Sequence, residues 1–262
     1  MTTKLYVILG SHACRTGMLL LEHKGIEYER VVLPTGLHPL GLRLLGFSGN
    51  PAPFRRVDDN RHPLLGHADR MGTVPALQLD GRRVKTNRRI ARFLEEVRPD
   101  PPLFPADAER RGAVEEAERW GDEVLQMAAR RLALAAFGRG GLIDRGDDGR
   151  LGPLLWGNAT VRAVGGRFVG AVFSANVRAD AELRAALPGV LDRIDGWIEA
   201  GVLNGDQPNA ADFMIAPSLA LISYVRDLRP EIEQRPAIRL LDRLLPEPNA
   251  PAAEPTPAQT SI

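Results

Sequence analysis

The chain has 262 residues, 44% of them hydrophobic and 26% charged, which is enough for one large or two ordinary globular domains and excludes disorder for most of its length. The formal net charge of +1 leaves no global field to draw it toward nucleic acid or an anionic membrane. The single cysteine, Cys14, excludes an internal disulfide and a multi-cysteine metal site, and fits a reducing, cytoplasmic setting.

Leu5 to Leu9 is an apolar run too short for a signal peptide, and no stretch approaches the roughly 18 uninterrupted apolar residues of a membrane span. It reads as a buried strand ended near Leu9 by Gly10-Ser11. From His12 to Lys24, Met18, Leu19, Leu20 and Leu21 form an apolar face and Gly25 stands at a helix C-cap, which predicts a helix of about three turns. Tyr28 to Leu33 reads as a second buried strand ended by Pro34, and the short spacing favours a parallel βαβ unit.

Residues 34–72 carry many Pro, Gly, Arg and Asp, with only Leu40 to Leu45 suggesting a helical turn or two. Pro75 to Leu79, Asp80-Gly81 and Arg82 to Lys85 read as strand, tight turn and strand, since Asp-Gly supplies the positive φ values of a hairpin turn. Asn87 is placed to cap a helix whose Ile90, Phe93, Leu94 and Val97 recur at helical spacing. The prolines between Pro99 and Pro105 mark a linker.

Beyond the linker, residues 108–137, 154–175, 180–200, 209–227 and 231–245 read as helices separated by Gly, Asp or Pro. Asn209 and Asp212 have the spacing of a capping box, a stabilising device for the helix they begin. Pro246 to Ile262 is rich in Pro and Ala and reads as a disordered tail. The expected organisation is therefore a first domain over 1–98, a linker over 99–107, a helical domain over 108–245 and a tail over 246–262.

The order βαβ, long connection, Val-Pro, ββα, proline linker and helical bundle resembles the glutathione transferase superfamily over nearly the whole chain except the tail. The strongest pieces are Thr73-Val74-Pro75-Ala76-Leu77 with Asp80-Gly81, Arg88 to Leu94, and Asn209-Ala210-Ala211-Asp212-Phe213. The resemblance implies an α/β plus all-α fold: a thioredoxin-like βαβαββα domain followed by a helical bundle. It also implies a cis bond before Pro75, so that the backbone of Val74 can pair with a peptide-like ligand.

Ser11-His12-Ala13-Cys14 sits at a strand-to-helix junction, where free backbone N–H groups and the helix dipole favour a thiolate. By resemblance, Ser11 falls beside the glutathione sulfur and Cys14 three residues on, as in redox members of the superfamily; the alternatives are a helix cap for Ser11 and a small buried hydrophobe for Cys14. His12 is a possible acid, base or ligand contact, although a surface histidine at a helix start is the commoner case; by resemblance Tyr6 matches the place of a catalytic tyrosine in some classes, while its position in an apolar run favours a packing role. Thr86 and Asn87 occupy the places where the superfamily usually keeps an acidic residue or Gln followed by Ser to hold the γ-glutamyl group. Asn87 can donate to a carboxylate, Thr86 brings no charge for the ammonium, and Lys85, Arg88 and Arg89 add positive charge at this rim.

Arg43, Arg55 and Arg56 are candidates for the glycine carboxylate, and Trp120, Met127, Trp156 and Phe168 for apolar walls. The implied activity is conjugation of glutathione or a similar thiol to a small electrophile, as in detoxification. No metal or redox cofactor is implied, glutathione being a co-substrate. A homodimer is the family expectation. Two further readings stay open: a binding protein that has lost the chemistry, and a Cys14-dependent thiol oxidoreductase.

Overall fold

The computed structural model describes residues 3–47, 74–142, 149–152 and 175–247. Its first part is β1 (Lys4–Val7), α1 (His12–His23), β2 (Glu29–Val32), α2 (His38–Leu44), β3 (Ala76–Leu79), β4 (Arg82–Lys85) and α3 (Asn87–Val97). The strands form one sheet in the order β2-β1-β3-β4. β1 runs parallel to β2 and antiparallel to β3, and β4 returns on β3 through Asp80 and Gly81 at φ 48° and 77°. The expected βαβαββα order is present, and the Asp-Gly turn takes the left-handed conformations for which those residue types are suited.

Sheet register decides which side chains meet. Leu5 lies opposite Leu77 and joins Val7, Leu79, Ile90 and Leu94 in the main core beneath α1 and α3. Tyr6 lies opposite Ala76 on the other face, packed with Leu42 of α2 and with Phe47 in an edge-to-face contact at 5.4 Å. Tyr6 thus has the packing role expected of it. β2 departs from expectation: among the described residues it is the sheet edge, paired on one side only, with Glu29, Arg30 and Val32 exposed.

The second part contains α4 (Ala108–Trp120), a π-helical turn (Gly121–Leu125), α5 (Gln126–Gly138), α6 (Val177–Glu199), α7 (Ala210–Ser223), α8 (Arg229–Glu233) and α9 (Ile238–Leu244). The helix expected over 108–137 is continuous but widens into the π turn. There a Cβ at Gly121 would come within 3.0 Å of Ile215 and Met214, so glycine is what lets the turn lie against α7. Asp107 and Asn176 cap α4 and α6 through Arg110 N at 2.8 Å and Ala179 N at 2.9 Å. The helix expected over 154–175 and nearly all of the expected tail lie outside the described residues.

Every residue of α7 is buried, as an apolar sequence on all sides of a helix requires, and α1, α3, α4, α5 and α9 pack around it. The linker is held by Lys24, which is only 1% exposed. Its ammonium meets Glu95 Oε2 at 2.6 Å and the carbonyls of Pro101 and Pro99 at 2.6 and 3.3 Å, so every donor has an acceptor. No helix among the described residues is long and apolar enough to cross a membrane.

α1 approaches the Val74-Pro75 bond through Gly17, where a Cβ would stand 2.9 Å from Pro75 Cγ and 3.5 Å from Leu5 Cδ1. The proline ring and the β1 core cannot yield as a flexible chain end would. Gly17→Val is expected to lower stability by about 1–3 kcal/mol, read as a reduced urea midpoint with an unchanged m value.

Candidate functional site

α1 and α3 both begin at the end of the sheet where β1 finishes, so the unpaired N–H groups of two helices open on one place. The two helix starts are joined by Asn87, whose Nδ2 donates to Ala13 O at 2.9 Å. Asn87 is therefore the first residue of α3 and not its cap. The capping position is held by Thr86, whose side chain makes no capping bond. The one-residue shift arises because Asn87 finds a buried tertiary acceptor, which the capping geometry would forgo. Its Oδ1 is buried and unbonded among the described residues.

Thr86 has φ 70° and ψ 141°, a conformation that glycine adopts freely and a β-branched residue does not. It is held there from both sides: its N–H donates to Pro75 O at 3.3 Å, and its carbonyl accepts from Ile90 N at 2.9 Å. Thr86 consequently links the start of α3 to the Val74-Pro75 bond, which is cis as expected. Val74 itself lies ahead of β3, outside the ladder, and half-buried. Strain of this kind persists only where the surroundings impose it, and such residues cluster at binding and catalytic sites.

Ser11 stands at the N-cap of α1 without making a capping bond, and it is 8% exposed. Its side chain lies beside the thiol of Cys14 and opposes the rise of that thiol's pKa. Cys14 is fully enclosed in the main core. Burial pushes its thiol up to about 11, and the opposing bonds from Ser11 and the Ile8 backbone and the charge of Arg130 do not offset this. That environment suits a buried hydrophobe and lacks what an attacking thiolate needs, namely access and a depressed pKa.

His12 differs from the surface histidine of a usual helix start. It is 2% exposed, and burial together with the charge of Arg130 brings it down to about 3, with the Gln126 backbone acting against the fall. Nε2 is buried without a hydrogen-bond partner. His12 is thus neutral and joins the first domain to the second.

This joint contains Asp122 and Glu118, which sequence reasoning missed, and Lys85, which it placed at the rim of the site. Asp122, in the π turn, is half-buried as a residue, yet desolvation pushes its carboxyl up to about 7; Arg88 and Arg130 oppose the rise, and Glu118 and Glu123 add to it. Glu118 is fully buried, and Arg92 and Arg88 of α3 reach it at 2.6 and 3.4 Å. Lys85 Nζ is buried and unbonded among the described residues, and desolvation followed by the charge of Arg89 lowers its pKa. Only the π turn's pairing of Gly121 with acidic neighbours hinted at this cluster in the sequence.

The structure does not bring all the candidates together. Arg43 is exposed on α2, while Arg55, Arg56, Trp156, Phe168 and Thr73 lie outside the described residues. Trp120 packs edge-to-face on Trp197 at 5.3 Å beneath Arg193 and has a core role, and Met127 is half-buried. A groove of about 360 Å³ lined by Arg82, Val84, Arg89, Arg92, Phe93 and Glu96 lies on the flank of α3 opposite Asn87 and Leu94, away from Ser11. No group of three or more His, Cys, Asp or Glu side chains able to hold a metal occurs among the described residues.

No family model and no curated protein matches the sequence. Solved structures do match. A glutathione S-transferase from Rhodospirillum rubrum is 22% identical, covers 93% of this chain and 87% of its own, and has a TM-score of 0.58. One from Ceriporiopsis subvermispora, in complex with glutathione, is 17% identical over 93% of this chain and 98% of its own, with a TM-score of 0.62. One from Methylobacterium radiotolerans, in complex with glutathione sulfonate, is 20% identical over 93% and 90%, with a TM-score of 0.52. At these identities the likeness is one of fold: a thioredoxin-like first domain and a helical second domain arranged as in glutathione transferases.

The neutral state of His12 gives a pH signature. Between about pH 3 and the unfolded value of 6.5, the unfolded chain binds a proton that the folded chain refuses, so this residue makes stability fall as pH drops through that window. Asp122 and Asp212, pushed up to about 7 and about 6, act in the opposite sense, weakening the fold as pH rises toward those values. Against wild type, His12→Asn is expected to lose less stability on acidification from neutral pH, the difference approaching about 1.4 kcal/mol per pH unit in urea titrations.

Proposed function

We propose that this chain, on its glutathione transferase fold, conjugates glutathione or a closely similar thiol tripeptide to small electrophiles. The observation that carries the reading is the position of Thr86. Its forced backbone ties the start of α3 to Pro75, placing Val74, the N-terminus of α1 with Ser11, and the N-terminus of α3 around one point. Structural neighbours solved with glutathione and glutathione sulfonate support the choice of thiol.

In this reading the peptide backbone of the ligand pairs with Val74, which lies outside the strand ladder, and a ligand carboxylate meets the N–H groups at the start of α3. The ligand thiol loses its proton to solvent. Ser11 then donates its O–H to the ligand thiolate, a bond strengthened by the charge on its acceptor. The thiolate attacks an electrophilic carbon; a C–S bond forms, and the leaving group departs with its electron pair. Glutathione is co-substrate, and no further cofactor is required. A homodimer, a cytoplasmic location and a detoxifying role belong to the same proposal.

A second reading, a binding protein without chemistry, is favoured by Asn87. One of its amide hydrogens is spent on Ala13, and Thr86 adds no carboxylate for the ligand ammonium, so glutathione is held by fewer charged contacts. Calorimetry with millimolar glutathione and a conjugation assay with chlorodinitrobenzene distinguish the two. The enzyme reading expects binding heat and turnover, with Ser11→Ala lowering kcat/KM by about 10²-fold. Binding without turnover selects the second reading; no binding at millimolar glutathione overturns both.

A further inference from the structure

The ladder between β3 and β4 places Lys85 opposite Ala76, the residue that follows the cis bond. Directly opposed residues share a face of the sheet. Ala76 packs with Tyr6, Leu42 and Phe47, and Val74 touches that cluster, so the Lys85 stem lies on the α2 face beside the bond at which a ligand backbone pairs. The neighbours on β4 agree: Val84 packs into the main core on the other face, and the Arg83 guanidinium lies 3.6 Å from where a Cβ on Gly46, just past α2, would stand. Lys85 is 5% exposed, and its ammonium is enclosed without a hydrogen-bond partner among the described residues. The equally buried Lys24, by contrast, has three acceptors. Nearby acids are engaged elsewhere: Glu118 and Glu123 face Arg88 at 3.4 and 3.6 Å, and Glu96 faces Arg82 at 2.8 Å. A buried ammonium without an acceptor bears its full desolvation cost, so Lys85 stands ready for an anion that the protein does not supply.

We propose that Lys85 selects a thiol peptide whose end at α3 is purely anionic, with a carboxylate and no ammonium, and that this carboxylate is the acceptor its own ammonium lacks. The inference rests on the reading of the thiol site given above and names the ligand class within it. In glutathione the ammonium is borne on the same carbon as the carboxylate that meets the start of α3. Docking it there brings a cation toward Lys85 and Arg89, and Thr86 supplies no acid to offset them. A glutaryl end without the amine keeps the carboxylate and removes the repulsion. Lys85 reaches it by swinging on its flexible stem, which no bond from the ammonium holds in place. Replacing an enclosed, unpaired ammonium by a charge-assisted hydrogen bond is favourable.

The test is calorimetry with glutathione and with its des-amino analogue, glutaryl-cysteinylglycine, on wild type, Lys85→Met and Lys85→Arg, alongside thermal midpoints of the ligand-free proteins. Wild type is expected to bind the analogue about tenfold tighter than glutathione; Lys85→Met should reduce that preference to about twofold, and Lys85→Arg should keep most of it. Ligand-free Lys85→Met should melt at or above the wild-type temperature, because an ammonium without a partner does not hold the fold. Wild type that binds the two thiols equally, or prefers glutathione, overturns the inference and leaves the reading of the site intact, as does a preference that survives in Lys85→Met. A Lys85→Met chain that fails to fold or melts below wild type shows the ammonium to be held by the protein, and overturns it too. Binding of neither thiol at millimolar concentration overturns the reading of the site itself and the inference with it.

Discussion

A helix buried along its whole length must find partners for its first backbone N–H groups inside the protein, and meeting that requirement at α7 organises both domains. Asn209 Oδ1 accepts from Ala211 N at 2.9 Å and Asp212 N at 3.3 Å, while Asp212 accepts from Asn209 N at 2.8 Å and Asn204 N at 2.7 Å. The next donor, Ala210 N, turns to the linker carbonyl of Leu103 at 2.9 Å. Leu103 N in turn donates to Glu95 Oε2 at 2.9 Å, and Glu95 is the partner of Lys24 at the end of α1. Leaving any one of these groups unpaired costs about 1–3 kcal/mol, so the linker path is as determined as a strand. Burial still pushes the Asp212 carboxyl up to about 6, a measure of how far from water this helix start lies.

The site is a consequence of that anchoring. α1 is fixed at its C-terminal end by Lys24, along its length by the contact of Gly17 with Pro75, and at its start by Ala13 to Asn87. The positive end of the helix is thereby aimed at a set place beside Val74. In the second domain, the π turn at Gly121 lies against Met214 and Ile215 of the same α7.

Features set by local chemistry were legible in the sequence. The Asp80-Gly81 turn, the helix patterns, the capping box and the Val74-Pro75 bond all depend on residues a few positions apart. Features set by the partner domain were not. A lysine at a helix end is ordinarily solvated, and the burial of Lys24 follows only from carbonyls that the linker supplies some 75 residues later. His12 reads as a surface histidine, and its burial follows only from what packs over the start of α1. Asn87 was displaced from cap to first helical residue by a tertiary acceptor. Thr86 could not be foreseen in a left-handed backbone because its type argues against it.

The central claim is that the two domains stand as one cooperative unit joined by the polar path from Lys24 through Glu95 and Leu103 to α7. Native-state hydrogen exchange on Lys24→Met measures this most directly. The account predicts that protection falls by the same factor at the β1 amides and at the middle of α7, although Lys24 touches neither. A fall confined to the first domain, with α7 keeping its wild-type protection, would contradict it.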